Sequence, residues 1–205
     1  MMDRIFTCWF LPAVALAAIL FQLSGTDVQH VLRYERNAIL GGELWRVISA
    51  HVVHLGWPHA LWNVAALIII FMLFGRAMSD RRWGYVTLVC AVGVAICLIA
   101  FNPEVSTYVG LSGILHGLFA AGALAERQAH RNTSFIMLVL LGAKLIWEQL
   151  AGPMPGTEPA VGGIVLVDAH LYGALFGLIA IATLNMLPSN KSEAGLEKIG
   201  RPHSD

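Results

Sequence analysis

Six apolar blocks, at approximately 5–22, 58–75, 83–101, 111–126, 134–150 and 169–187, constrain this chain more than any other feature. Each is near the length that crosses a bilayer as a helix. A soluble α/β core would need apolar strands of four to eight residues, which these runs far exceed. Composition agrees, with 57% hydrophobic and 13% charged residues and a mean hydropathy of +0.68. The expectation is an all-α membrane protein of six transmembrane helices, with one domain over 1–188 and a short polar cytoplasmic tail over 189–205. The first block lacks a small-x-small cleavage site, so it is read as a retained helix and not a signal peptide.

Lysine and arginine set the orientation. Arg4, the group Arg76, Arg81 and Arg82, the pair Arg127 and Arg131, and Lys191, Lys198 and Arg201 all fall on one side, which should be cytoplasmic. Loops 102–110 and 151–168 on the other side carry neither residue, and the long first loop holds Arg33, Arg36 and Arg46. The net charge of zero gives no reason to expect a nucleic-acid partner. Cys8, Cys90 and Cys97 lie within apolar blocks and are read as small buried hydrophobes. Loop 152–167, with "GPMPGTEP" and "VGG", is too rich in glycine and proline for a helix and overhangs the outer end of the bundle, a candidate gate.

Depth then sorts the polar residues. Block two opens on the outer side with "HALWN", placing His59 and Asn63 four apart on one helical face. Block four opens there at Ser112, and His170 is the second residue of block six. Three distant segments thus bring a hydroxyl, two imidazoles and an amide to one level. Gly113 and Gly117, and Ala169, Gly173 and Gly177, recur every four residues and form smooth faces on which two helices can approach closely. If those faces meet, Ser112 and His170 are neighbours.

Taken together, "ELWR" at 43–46, "HALWN" at 59–63, "GLSG" at 110–113 and "AHLYGALFG" at 169–177 resemble the signature set of rhomboid intramembrane serine proteases. The serine motif running on as "GILHGL" resembles the rhombosortase branch most closely. The resemblance implies a rhomboid-like bundle whose serine and histidine lie below the outer surface, in a bacterial inner membrane with the active site toward the periplasm. It assigns His59, Asn63 and the Ser112 backbone N–H to an oxyanion hole, with Gly110 among the auxiliary residues. On the branch resemblance alone, substrates are proteins with a C-terminal transmembrane anchor preceded by Gly-Gly.

The chemistry also follows from general requirements. Peptide hydrolysis needs a nucleophile, a base and donors for the oxyanion. Ser112 at a helix N-terminus supplies the nucleophile beside free N–H groups, and His170 supplies the base. Asp168, two residues from the base, points elsewhere on a helix, so the site is read as a Ser–His dyad. His116 stands where the family more often has tyrosine. Facing the same way as Ser112, it could stack on His170, be protonated or act as another base, and packing and tuning is the expected role. His51, His54 and His59 lack an HExxH or other ligand spacing, so no metal and no cofactor is expected. His54 is read as a structural hydrogen-bonder, and Trp45 and Arg46 as anchors or pins of the first loop. A catalytically inactive rhomboid-like chaperone for transmembrane helices is the alternative. A transporter is disfavoured because blocks two to six show no second copy of the pattern.

Overall fold

A computed structural model describes residues 8–186. The tail expected over 189–205, with Lys191, Lys198 and Arg201, and Arg4 at the other end, lie outside the described residues.

The apolar blocks are helices: α1 (Phe10–Leu23), α5 (Trp57–Phe74), α6 (Asp80–Phe101), α7 (Ser112–Ala125), α8 (Arg131–Ala151) and α10 (Val167–Met186). Of these, α5, α6, α8 and α10 are long and apolar enough to cross a membrane. The other two have 14 residues each, about 21 Å at 1.5 Å per residue. For α7 that shortness has a cause, because its neighbours leave it no lipid-facing side. Nine of its residues are buried, including Gly113, Gly117 and Gly122, and α5, α6, α8 and α10 all pack against it. A helix wrapped on every side needs small residues, and α7 is built largely from glycine and alanine.

The closest packing is between α7 and α10, where the two glycine ladders meet. A Cβ on Gly173 would run into the Gly113 backbone, and one on Gly177 into the Gly117 backbone. Cys90 of α6 closes the third side, its thiol directed at the Gly173 carbonyl. By contrast α8 buries only Ser134, Leu145 and Glu148.

The first loop is more ordered than its composition suggests. It contains α2 (Thr26–Leu32), α3 (Arg36–Leu40) and α4 (Arg46–Ser49), and a strand β1 (Tyr34–Glu35) that pairs antiparallel with β2 (Thr107–Tyr108). The fold is all-helical apart from this two-residue ladder, which ties the first loop to the segment leading into Ser112. Arginines hold the loop down. Arg36 donates to the carbonyls of Leu98 and Ile99 at the C-terminus of α6, where a cation meets the negative end of the helix dipole. Arg46 is nearly buried, pairs with Glu43 at 2.7 Å and donates to the carbonyls of His30 and Arg33. Trp45 donates weakly to the Val31 carbonyl at 3.4 Å.

Two readings of loops are corrected. The glycine- and proline-rich stretch contains a one-turn helix, α9 (Thr157–Val161), framed by left-handed Gly156 and Gly162. The glycines thus serve as terminators of a helix instead of excluding one. His54 is fully buried, but neither of its ring nitrogens makes a hydrogen bond among the described residues. It packs edge-on against His59, with centroids 5.1 Å apart. Burial pushes its pKa down to about 3, so the ring is neutral and serves as a packing element.

Candidate functional site

The α7–α10 contact delivers two side chains to one place. Ser112 is the first residue of α7 and His170 lies in the first turn of α10. With the glycine faces in contact, His170 Nε2 lies 3.1 Å from Ser112 Oγ. The approach to Ser112 is fixed as tightly as the helix itself. Gly110 has φ +119° and sits so close to His59 that a Cβ would lie 2.6 Å from its Cε1. Its N–H donates to the Ala50 carbonyl and its own carbonyl accepts from the Tyr108 hydroxyl. Only glycine meets both the positive φ and the close approach.

Beside the segment leading into Ser112, α5 presents His59 against Gly110 and, one turn further along, Asn63, both buried. The Leu55 N–H is directed at His59 Nδ1 at 3.5 Å. With Nδ1 facing a donor, Nε2 carries the proton, and the Cε1–Nε2 edge of the ring is the one that faces Gly110. The Asn63 side-chain nitrogen is buried with no hydrogen-bond partner among the described residues. Leaving such a donor unused costs about 1–3 kcal/mol, so its persistence suits a group held ready for an incoming acceptor.

Two charged residues that sequence reasoning did not single out complete the cluster. Glu148 of α8 places Oε2 3.0 Å from His170 Nδ1, and its side chain is 2% exposed. Lys144, one turn earlier, donates to Glu148 Oε1 at 2.6 Å and to His116 Nε2 at 2.9 Å. The signal was present as "KLIWE", a Lys and Glu four apart inside an apolar block. Charges at such positions are functional candidates by default because of what their burial costs.

The hydrogen bonds fix both tautomers. His170 Nδ1 faces a carboxylate and therefore donates, which leaves Nε2 with its lone pair toward Ser112. His116 Nδ1 faces the Ser112 carbonyl at 2.7 Å and donates to it, while its Nε2 accepts from Lys144. The ring lies flat on His170, with centroids 4.1 Å apart and planes at 15°. The expected stacking is therefore present. The reading of His116 as another base is not supported, since its only lone pair is taken by an ammonium.

Asp168 points away from the site, accepting from Asn102 Nδ2 at 2.7 Å. Tyr172 donates to the Asn102 side-chain oxygen at 2.8 Å, so this set latches the end of α6 to the start of α10. Ligand atoms of His116, Glu148 and His170 come within 4.8 Å of one another, a spacing a metal ion could use. Each already has a protein partner, however, and Lys144 provides the cation among them. Beside the cluster, α5, α7 and α8 enclose a groove of about 400 Å³ lined by Ile70, Leu115, Phe119 and Leu141, with His116 and Lys144 at its polar end.

The rhomboid domain model matches residues 41–186, most of the chain. This chain belongs to the rhomboid family. It is 28% identical over 160 residues to the rhomboid protease GlpG of Haemophilus influenzae, covering 75% of this chain and 76% of that protein. It is 26% identical over 192 residues to the rhomboid protease GluP of Bacillus subtilis, covering 88% of this chain but 35% of that protein. An uncharacterized Mycobacterium tuberculosis protein, Rv1337, is 25% identical over 197 residues, covering 90% of this chain and 76% of that protein. Family and apolar helices together make this a multi-pass membrane protein.

Proposed function

We propose that this rhomboid is an intramembrane serine endopeptidase of the rhombosortase type. Its helices α1, α5, α6, α7, α8 and α10 form a six-helix transmembrane bundle in a bacterial inner membrane, with the site open to the periplasmic side. The observation that carries this reading is the 3.1 Å contact between Ser112 Oγ and His170 Nε2 on two helices that the glycine ladders prevent from sliding apart.

In this mechanism Ser112 Oγ attacks the scissile carbonyl carbon while its proton passes to His170 Nε2. The carbonyl oxygen becomes an oxyanion, held by the Ser112 N–H, His59 Nε2 and Asn63 Nδ2. Collapse of the tetrahedral intermediate breaks the C–N bond, and His170 returns the proton to the leaving amine. Water, deprotonated by the same nitrogen, then hydrolyses the acyl-serine ester and frees the acid. His116 supports His170 by stacking and takes no proton. The substrate's transmembrane helix lies against the apolar groove between α5 and α8, and the segment around α9 covers the outer approach. The substrates are proteins whose C-terminal anchor follows a Gly-Gly segment, and the cut releases them from it.

The test uses the purified protein in detergent with a reporter bearing a Gly-Gly segment, an apolar helix and a basic end. Cleavage by the native chain, lost in Ser112→Ala and His170→Ala, supports the whole reading. Cleavage of a generic transmembrane substrate but not this reporter would remove the Gly-Gly assignment alone. Activity surviving in Ser112→Ala would remove the mechanism.

A further inference from the structure

We infer that Glu148 and Lys144 are positioning residues that convert the Ser112–His170 pair into a Ser–His–Glu relay, with Lys144 fixing the polarity of the carboxylate. This rests on the proposed roles of Ser112 and His170 and adds a third element to them. A dyad leaves the base free to rotate and to take either tautomer. Here the Nδ1 of His170 is held at 3.0 Å by a carboxylate oxygen, on a side chain that is 2% exposed. Such an acceptor holds the ring with its lone pair toward the serine and stabilises the imidazolium formed when the serine proton arrives.

A buried carboxylate beside a neutral imidazole is costly without a counter-charge. Lys144 supplies one at 2.6 Å, through the oxygen that His170 does not use. The ammonium's second bond, to His116 Nε2, anchors the ring stacked on the base. Hydroxyl, imidazole, carboxylate, ammonium and second imidazole thus form a closed circuit that returns to Ser112 through its carbonyl. Every member has one orientation available. Because α8 is the least buried of the long helices, the circuit also makes alignment of the base depend on the docking of α8.

The arrangement predicts an unusual interaction between two substitutions. In Glu148→Gln the amide keeps the shape of the carboxylate, but Lys144 still donates to Oε1, so the amide must present its NH2 to His170 Nδ1. That forces the proton onto Nε2, where it faces Ser112 and blocks proton acceptance. Replacing Lys144 by methionine in the same protein frees the amide to flip, present its oxygen to Nδ1 and restore the productive tautomer. Removing the second partner should therefore recover activity that loss of the first destroyed.

The experiment measures inactivation by a fluorophosphonate, which needs no knowledge of the substrate. The serine Oγ–P bond forms, fluoride leaves, and the serine proton is taken by His170. We expect Glu148→Gln to lower the maximal inactivation rate about a thousandfold or more with little change in the concentration for half-maximal rate. Lys144→Met alone should lose about tenfold. Lys144→Met/Glu148→Gln should react at least tenfold faster than Glu148→Gln. A double variant no faster than the single, or a Glu148→Gln protein as fast as the native one, overturns the inference. If Glu148→Gln does not accumulate folded, the native and Lys144→Met proteins decide, and equal maximal rates overturn it. A native protein that is not modified at Ser112 at all would instead overturn the proposed function.

Discussion

The two sides of the candidate site are built in opposite ways. On one side α7 and α10 meet backbone to backbone, and a single added methyl at Gly173 has nowhere to go. On the other, α8 buries three residues, two of them polar, and faces α5 across an apolar groove. The first contact gives Ser112 and His170, the proposed nucleophile and base, one relative position. The second leaves an open groove while still bringing Glu148 to His170 and Lys144 to Glu148 and His116. In the proposed mechanism, rigidity falls where the reacting atoms must align and openness where a substrate must arrive.

The largest effect should come from breaking the rigid side. Gly173→Val inserts a branched side chain into the Gly113 backbone, so we expect failure to accumulate as folded protein, read by detergent-solubilised yield and size-exclusion profile. An isosteric change on α8 at the groove, Leu141→Met, should leave yield within about twofold, as volume-conserving swaps usually cost under about 1.5 kcal/mol. Equal damage from both would abolish the contrast.

Next in size is the plate beneath the base. His116→Tyr keeps an aromatic ring against His170 and should retain substantial cleavage. His116→Ala leaves a void and removes the Lys144 contact, lowering both the rate and the thermal midpoint, with a stability loss of up to about 3–5 kcal/mol on the scale of buried aromatic truncations. Equal, near-zero rates in the two variants would mean that His116 carries a proton after all.

A smaller effect concerns the loop that frames the site. Burial pushes His51 down to about 4 and His54 to about 3, whereas unfolded histidine titrates near 6.5. Between those values the unfolded chain binds more protons than the folded one, so stability rises with pH across roughly pH 4 to 6.5 and is lost on acidification. Each group contributes at most about 1.4 kcal/mol per pH unit. The thermal midpoint in detergent should fall from pH 7 to pH 5, and less steeply in His51→Gln. A midpoint independent of pH would contradict the buried, neutral state of both rings.

The smallest expected change is at the α6–α10 latch. Tyr172→Phe removes one hydrogen bond to Asn102, worth about 1 kcal/mol, and should lower the thermal midpoint slightly while sparing the rate.

Legibility in the sequence followed the same division. The rigid side was readable because helix spacing and glycine periodicity are local: the four-residue ladders made Ser112 and His170 neighbours on the condition that the two faces meet, and they do. The blocks appear as helices within about three residues of their expected ends, except that α1 begins at Phe10 where the first block was expected from residue 5, a position outside the described residues. The order in the first loop was not readable, because it depends on arginine contacts to carbonyls over 60 residues away and on a two-residue strand pairing. Glu148 was missed for a related reason. An orienting group was sought near His170 in sequence, whereas the structure supplies it from a different helix, 22 residues earlier. His54 was misassigned because a histidine in a loop suggests hydrogen bonding, and burial among other rings removed that option.

The central claim is that the glycine-packed helices make Ser112 a nucleophile activated by His170. The most direct measurement is intact-protein and peptide-mapping mass spectrometry after exposure of the native protein to a fluorophosphonate at neutral pH. The account predicts a single phosphonyl adduct on Ser112, absent from His170→Ala under the same conditions. No adduct on the native chain, an adduct at another residue, or an undiminished Ser112 adduct in His170→Ala would contradict it.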